Sequence, residues 1–257
     1  TPEHIRRLRA VADALAPRPR PAYDPARLAG GEPVELVQSP APLLVGERTN
    51  VLGSRKFKEL IRAGRFAEAA EIGRRQVRGG AHALDLCVAD PEGDERAGMS
   101  ALVTAVRRAA RVPQMIDSTD PDVFAAALEL IPGRPVLNSV NLEDGGARLD
   151  RVAALARRFG AAVVAGCIDD HPTDGMARTA ERKVEVAGKL LARLEATGLR
   201  RRDVLLDALV FPAATGDPKF KGVAAETVRG VRLVKERWPD ALTVLGISNV
   251  SFGVPIA

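Results

Sequence analysis

A parallel β/α barrel is the fold class that the sequence predicts, and three observations predict it. From Leu43 onward short apolar runs alternate with amphipathic segments of a dozen or more residues. The runs are apolar at consecutive positions, as in strands covered on both faces. Glycines at Gly79, Gly80, Gly160 and Gly198 stop three of the helical segments. The expected strands are 43–45, 83–88, 112–116, 135–140, 161–168, 204–211 and 242–248. They are one short of the eight that close a (β/α)8 barrel, and the eighth is expected beyond Ala257. Such a barrel leaves two edges exposed. An open doubly wound sheet is the alternative, but the first strand-to-helix turn lacks the G-x-G-x-x-G of a dinucleotide fold.

Residues 1–42 read as an N-terminal helix and an inter-domain linker, and residues 43–257 as the barrel domain. Thr1 is a cap and Pro2 a first-turn residue for a helix whose Ile5, Leu8, Val11 and Leu15 share one face, which needs a surface to lie on. Pro17, Pro19, Pro21, Pro25, Pro33, Pro40 and Pro42, with Gly30 and Gly31, resist regular structure, so 16–42 reads as a strap over a surface. After the first strand the chain turns helical at about Lys56, and further helices are expected at 65–78, 95–110, 122–130, 147–159, 177–196 and 224–238.

In a parallel barrel the ligand site is built from the C-terminal ends of the strands. Strand one ends in Glu47, Arg48, Thr49 and Asn50, and strand two in Asp85. Strand three ends in Asp117 and Ser118, strand four in Asn138 and Ser139, strand six in Asp207, and strand seven in Ser248, Asn249 and Ser251. One Asp or Asn in such a place caps a helix or bonds to a turn as readily as it meets a ligand. Asp85, Asp117, Asn138 and Asp207 each end an unbroken apolar run, which sets them at the barrel mouth, where an unpartnered carboxylate is costly. Together they favour a pocket for a flat heterocycle that offers adjacent N–H donors. Thr49 and Asn50 are open between ligand contact and capping.

Composition narrows the function classes. The 257 residues and 46% hydrophobic content suffice for a sizeable core. No apolar run approaches the ~18 residues of a membrane helix, and residues 1–8 lack the apolar block of a signal peptide. Cys87 and Cys167 lie in apolar runs, as buried thiols of a reducing, cytoplasmic compartment do. The net charge of +5 comes from short clusters such as Arg107-Arg108, Arg157-Arg158 and 200–202, with acids nearby and few aromatics, so nucleic acid is not an expected partner. His4, His82 and His171 show no zinc spacing with the cysteines, no nucleophile elbow is present, and no phosphate-binding loop occurs; no metal site is expected.

The segments "VGERTNVLGSRKFKELI", "GGAHALDL", "MIDST", "VLNSV", "GAAVVAG" and "GISNVSFG" resemble, in this order and spacing, the pterin-binding domain of cobalamin-dependent methionine synthases, from Leu43 to the end of the chain. The resemblance implies a barrel that binds 5-methyltetrahydrofolate and gives its N5-methyl group to Co(I) of cobalamin carried on another domain of the same polypeptide. By similarity Asp117, Asn138 and Asp207 hold the pterin, supported by Asp85, Ser139, Glu47 and Asn50, and Asn249 hydrogen-bonds near N5 as the catalytic residue. Arg48 is implied as an ion-pair partner of neighbouring carboxylates. "TPEHI" resembles the segment after the zinc-binding Cys-Cys of the homocysteine domain, which would then precede this chain. The chain departs from many relatives at Leu86-Cys87, where they carry Asn, and at Ala208-Leu209, where they often have Pro. Two other readings share the barrel or its ligand: a methyltransferase acting on a corrinoid iron-sulfur protein, and a folate-binding module without turnover. Dihydropteroate synthase would show Asn-x-Thr-Pro-Asp-Ser-Phe at the first strand and a late lysine motif, and neither is present.

Overall fold

The computed structural model describes residues 1–14, 26–37, 42–213, 215 and 218–251. Helix α1 (Pro2–Ala14) is amphipathic as expected, and its apolar residues Ile5, Leu8 and Val11 are 60–70% exposed. Leu15 and the linker residues Pro17, Pro19, Pro21, Pro25 and Pro40 lie outside the described residues. The proline-rich stretch is not wholly irregular, because β1 (Arg27–Ala29) and β2 (Pro33–Glu35) form an antiparallel hairpin. Pro33 is compatible with this as the first residue of an edge strand, where no N–H is required.

Seven parallel strands follow: β3 (Val45–Gly46), β4 (Ala83–Leu86), β5 (Gln114–Asp117), β6 (Val136–Leu142), β7 (Ala162–Asp169), β8 (Val204–Asp207) and β9 (Leu242–Val244). Each pairs with the next, so the order in the sheet is the order in the chain. A doubly wound sheet would reverse that order at a switch point, so the alternative is excluded. The strands curl into a half-barrel with β3 and β9 as its edges, covered by α2 (Arg55–Arg62), α3 (Phe66–Arg78), α4 (Glu95–Ala109), α5 (Pro121–Leu128), α6 (Ala147–Phe159), α7 (Ala180–Ala196) and α8 (Val223–Arg237). Several expected strands are shorter than read: 43–45 pairs as Val45–Gly46, 83–88 as Ala83–Leu86 and 112–116 as Gln114–Asp117. The apolar run 204–211 stops pairing at Asp207, and the run 242–248 stops at Val244 and turns into a short 3-10 helix, Ile247–Ser251.

Alternation along the strands divides the core into two layers. Leu84, Leu86, Ile116, Leu137, Val163, Ala165, Cys167, Val204 and Leu206 pack outward against the helices. Met115, Val136, Ala162, Val164 and Leu205 pack inward with Val45, Leu242 and Val244. The hairpin plugs this inner layer: Leu28 is buried in it, with Leu36 beside it. Backbone bonds fasten the plug, Ala29 N to Arg134 O at 3.0 Å, Arg134 N to Ala29 O at 2.8 Å and Gly31 N to Arg111 O at 2.7 Å. Glycine is needed at Gly133, where φ is +113° and a Cβ would meet Ala29 O at 2.5 Å. Leu28→Ala is expected to cost about 2–3 kcal/mol, the low end for a buried leucine because a hairpin can settle into the gap. Urea unfolding checks it, and a loss below about 0.5 kcal/mol would show that the hairpin is not part of the cooperative fold.

The basic clusters are tied to nearby acceptors. Arg200 bonds Asp203, Arg201 bonds Glu195 and Asp240, and Arg107 and Arg157 donate to the Leu130 and Thr197 carbonyls. Both cysteines are buried free thiols. Among the described residues no helix is long and apolar enough to cross a membrane.

Candidate functional site

Following the inward face two residues past its apolar layer reaches the strand ends. Val45 leads to Glu47, Ala83 to Asp85, Met115 to Asp117, Val136 to Asn138, Val164 to Gly166 and Leu205 to Asp207. Register brings these together across strands: Asp85 is level with Met115, Asp117 with Asn138, and Gly166 with Asp207. The open end of the half-barrel is therefore lined mostly by acids, with Gly166 between Asn138 and Asp207 in the series. The peptide between Asn138 and Ser139 is cis, at a shift of register between β6 and β7.

Capping does not account for these acids. The N-caps of α2, α4, α5 and α7 are Ser54, Asp94, Asp120 and Thr179, each accepting a backbone N–H in the first turn. Of the four strand-end residues, only Asp207 accepts a turn N–H, from Leu209 at 2.8 Å. Asp85 and Asp117 are held by one amide instead. Asn50 Nδ2 donates to Asp85 Oδ2 and to Asp117 Oδ2, both at 2.9 Å, while its Oδ1 accepts Leu52 N at 2.8 Å. Thr49 Oγ1 donates to the Asp85 carbonyl at 2.6 Å, which ties the end of β3 to β4. Thr49 is thus structural, and Asn50 bridges the two carboxylates. Asp85 is buried, and its Oδ1, withdrawn from water, has no hydrogen-bond partner among the described residues. The Asn138 amide bears on the same carboxylate.

The remaining strand-end residues divide. Ser139 is half-buried beside Asn138. Ser118 turns away to Glu95 Oε1, 2.6 Å distant. Arg48 is exposed, and no ion pair joins it to a carboxylate among the described residues, so the expected ion-pair role is not seen. Ser248 Oγ donates to Glu47 Oε2 at 2.7 Å, which links the segment after β9 to the end of β3. Asn249, in the same 3-10 helix, is exposed, with its Nδ2 against Gly246. Cys87, a position read as a departure, lies two residues beyond Asp85, just past the end of β4, and its buried thiol bears on Asp117. Period-two spacing was the available signal.

Burial dominates the electrostatics. It raises Asp85 to about 7, with the Asp117 charge adding to the rise, and it raises Asp117 to about 6, with Glu95 and Glu47 acting in the same sense. Asp207 is also pushed up by burial, against the Leu209 N–H and the Lys183 cation. Burial lifts the Cys87 thiol to about 12, so it stays a proton donor. In an unfolded chain both aspartates titrate at about 4. The unfolded state therefore loses their protons first, and their contribution to stability falls as pH rises from about 4 to about 7. Asp85→Asn is expected to remove the larger share. The wild-type stability minus that of the variant should drop by about 1 kcal/mol or more over this window and level off above it. A difference independent of pH in urea titrations would refute the protonated state of Asp85.

Among the described residues no group of three or more His, Cys, Asp or Glu side chains is placed to hold a metal ion. What the mouth offers is acceptors: three buried or half-buried carboxylates, with the Asn138 amide beside them. Such a surface suits a neutral, planar ligand edge rich in N–H groups.

Comparison with known proteins bears on the fold and the family. A 19%-identical structure, dihydropteroate synthase from Xanthomonas albilineans in complex with 7,8-dihydropteroate, superposes with a TM-score of 0.58 over 87% of this chain and 77% of that one. Dihydropteroate synthase from Stenotrophomonas maltophilia, also 19% identical, gives 0.56 over 79% and 71%. These likenesses establish the barrel fold. In sequence, the chain is 39% identical to methionine synthase from Mycobacterium tuberculosis (strain ATCC 25618 / H37Rv) over 259 residues, and 39% identical to that from Mycobacterium leprae (strain TN) over 264 residues. Each match takes in 99% of this chain but 22% of the relative, so the chain is similar to one domain of those proteins. A family model described as pterin binding enzyme matches residues 46–257, and the chain belongs to that family.

Proposed function

We propose that the barrel mouth binds 5-methyltetrahydrofolate and that the chain donates the N5-methyl group to Co(I) of cobalamin, one half-reaction of methionine synthesis from homocysteine. The observation that carries the reading is the pair of carboxylates, Asp85 and Asp117, gathered by Asn50, with Asn138 beside them and Asp207 on a facing strand. A reduced pterin presents its 2-amino group and ring N–H groups on one edge. A charged hydrogen bond from each to a carboxylate would contribute about 1.5–3 kcal/mol. In this reading Asp117, Asn138 and Asp207 hold the ring, and Asp85, Ser139, Glu47 and Asn50 shape the wall around it.

The cobalamin is a second substrate, brought to the mouth by another domain of the same polypeptide. Residues 43–257 are then the folate module, and residues 1–42 its connection to a preceding homocysteine domain, in a cytoplasmic multidomain methyltransferase. As the N5–CH3 bond breaks, its electron pair stays on N5, which takes a proton, and the methyl group passes to Co(I). Asn249, on the segment that Ser248 ties to Glu47, is the residue assigned to hydrogen-bond at N5.

The test is calorimetric titration of the chain with 5-methyltetrahydrofolate, followed by mixing the complex with Co(I) cobalamin and following the loss of Co(I) absorbance. Saturable binding and a folate-dependent loss are expected. Binding without transfer would leave a folate-binding module, and transfer confined to a corrinoid iron-sulfur protein would identify the other methyltransferase. Absence of binding by folded protein would sink the reading.

A further inference from the structure

Lys183 is a fully buried cation one turn into α7 that no part of the proposed chemistry uses. Its Nζ donates to three backbone carbonyls: Ala177 O at 2.8 Å, Leu209 O at 3.2 Å, and Ala208 O. All three N–H groups are thereby spent. The ammonium also lies 5.1 Å from the centroid of the Phe211 ring, and its stem packs on Gly230 of α8, where a Cβ would meet Lys183 Cδ at 2.7 Å. A surface lysine would need none of this.

Two of the three carbonyls belong to the turn that follows Asp207. Leu209 has φ +59°, and it is the one described residue other than glycine in the left-handed region, which a branched side chain enters only when held there. Lys183 Nζ and Thr227 Oγ1, the latter at 2.9 Å, both hold its carbonyl. Lys183 Nζ also holds the Ala208 carbonyl, which belongs to the same peptide as the Leu209 N–H, and that N–H reaches Asp207 Oδ1 and orients the carboxylate at the mouth. We infer that Lys183 is the positioning residue of the folate site, a buried cation that pins the turn after β8 so that Asp207 presents its free oxygen to the pterin; this rests on the proposed folate function.

The cation also acts on Asp207 through space. Burial pushes the Asp207 carboxyl up, and Lys183 pulls it down. The other groups around the pair are the Cys167 thiol of β7, which is neutral with its pKa raised to about 12, Glu226 of α8 and Asp174 of the loop before α7. No second cation faces Asp207 in this set. Without Lys183, Asp207 ionises at higher pH.

The experiment measures 5-methyltetrahydrofolate affinity against pH for the wild type, Lys183→Met, Asp207→Asn and the double variant, with the fold of each checked by circular dichroism. Lys183→Met is expected to bind about tenfold more weakly at neutral pH, with the acidic limb of its affinity profile moved to higher pH. In the Asp207→Asn background the same change should alter affinity less than threefold and move no limb. Equal weakening in both backgrounds, or wild-type affinity with an unmoved limb, would overturn the assignment. Should Lys183→Met not fold, Thr227→Val removes the other bond to the Leu209 carbonyl. It should weaken binding several-fold only where Asp207 is present, and wild-type affinity there would overturn the assignment. A wild-type chain that binds no folate overturns the folate function itself, whereas a binding wild type matched by Lys183→Met overturns the role of Lys183 alone.

Discussion

Asp117→Ala is expected to weaken 5-methyltetrahydrofolate binding at least 100-fold while leaving the barrel folded. The carboxylate ends β5 at the inner rim, held by Asn50 Nδ2 at 2.9 Å, and in the proposed site it accepts two N–H groups of the pterin edge. Losing two charged hydrogen bonds at about 1.5–3 kcal/mol each removes about 3–6 kcal/mol of binding energy, or two to four orders of magnitude in Kd. Asp117→Asn should be nearly as damaging, because the charge is lost and one of the two acceptor oxygens becomes an N–H donor, set against either the Asn50 amide or the ligand's donors. Neither variant should lower stability much. Each takes away one of two carboxylates that oppose each other's ionisation, and Asn50 keeps its bond to Asp85. Calorimetry and urea unfolding on the same samples separate the two effects. A Kd within about threefold of wild type in a folded Asp117→Ala protein would remove this residue, and with it the central contact, from the proposed site.

How legible this was in the sequence depended on the range over which each interaction acts. Strands were visible because two-sided burial leaves an unbroken apolar run, and the acids were visible because each run stops at one: Met115-Ile116 at Asp117, Leu205-Leu206 at Asp207. The bridge made by Asn50 was not. Its partners lie 35 and 67 residues away, and nothing local distinguishes it from a cap. Lys183 was hidden for a related reason. In "TAERKVEV" it reads as part of a solvated helix face, and only the turn after β8, arriving with three carbonyls, makes that place a cation site. The hairpin at 27–35 was masked by its Pro and Gly content, since a strand of three residues carries no periodicity to detect. The run after β9 misled in the opposite direction. Leu245 and Ile247 look like strand residues, yet β9 pairs with β8 alone, and one ladder does not carry the chain past Val244.

That same turn after β9 sets the second large expectation, for Asn249→Ala. The 3-10 helix Ile247–Ser251 is tied to the end of β3 by the Ser248 hydroxyl on Glu47, and Asn249 on it is exposed, so in the proposed site it meets N5 without forming part of the floor under the ring. The ring contacts are therefore expected to survive the substitution, and Kd for 5-methyltetrahydrofolate should change by less than about threefold. The rate of methyl transfer to Co(I) cobalamin should fall about 10- to 100-fold. The reason is the leaving group: a tertiary amine departs poorly, and a hydrogen bond to N5 gains strength as charge develops there, so its energy appears in the transition state and not in the ground state. Removing one preorganised donor from an enclosed site costs about 100- to 1000-fold. Asn249 is exposed, water replaces part of what is lost, and the lower range follows. Single-turnover mixing of a saturated complex with Co(I) cobalamin gives the rate free of binding, and the concentration dependence gives Kd separately. Equal losses in the two would make Asn249 a ring contact, whereas a slow step at unchanged affinity would tie the rim segment, and its anchor on Glu47, to the chemistry of methyl departure.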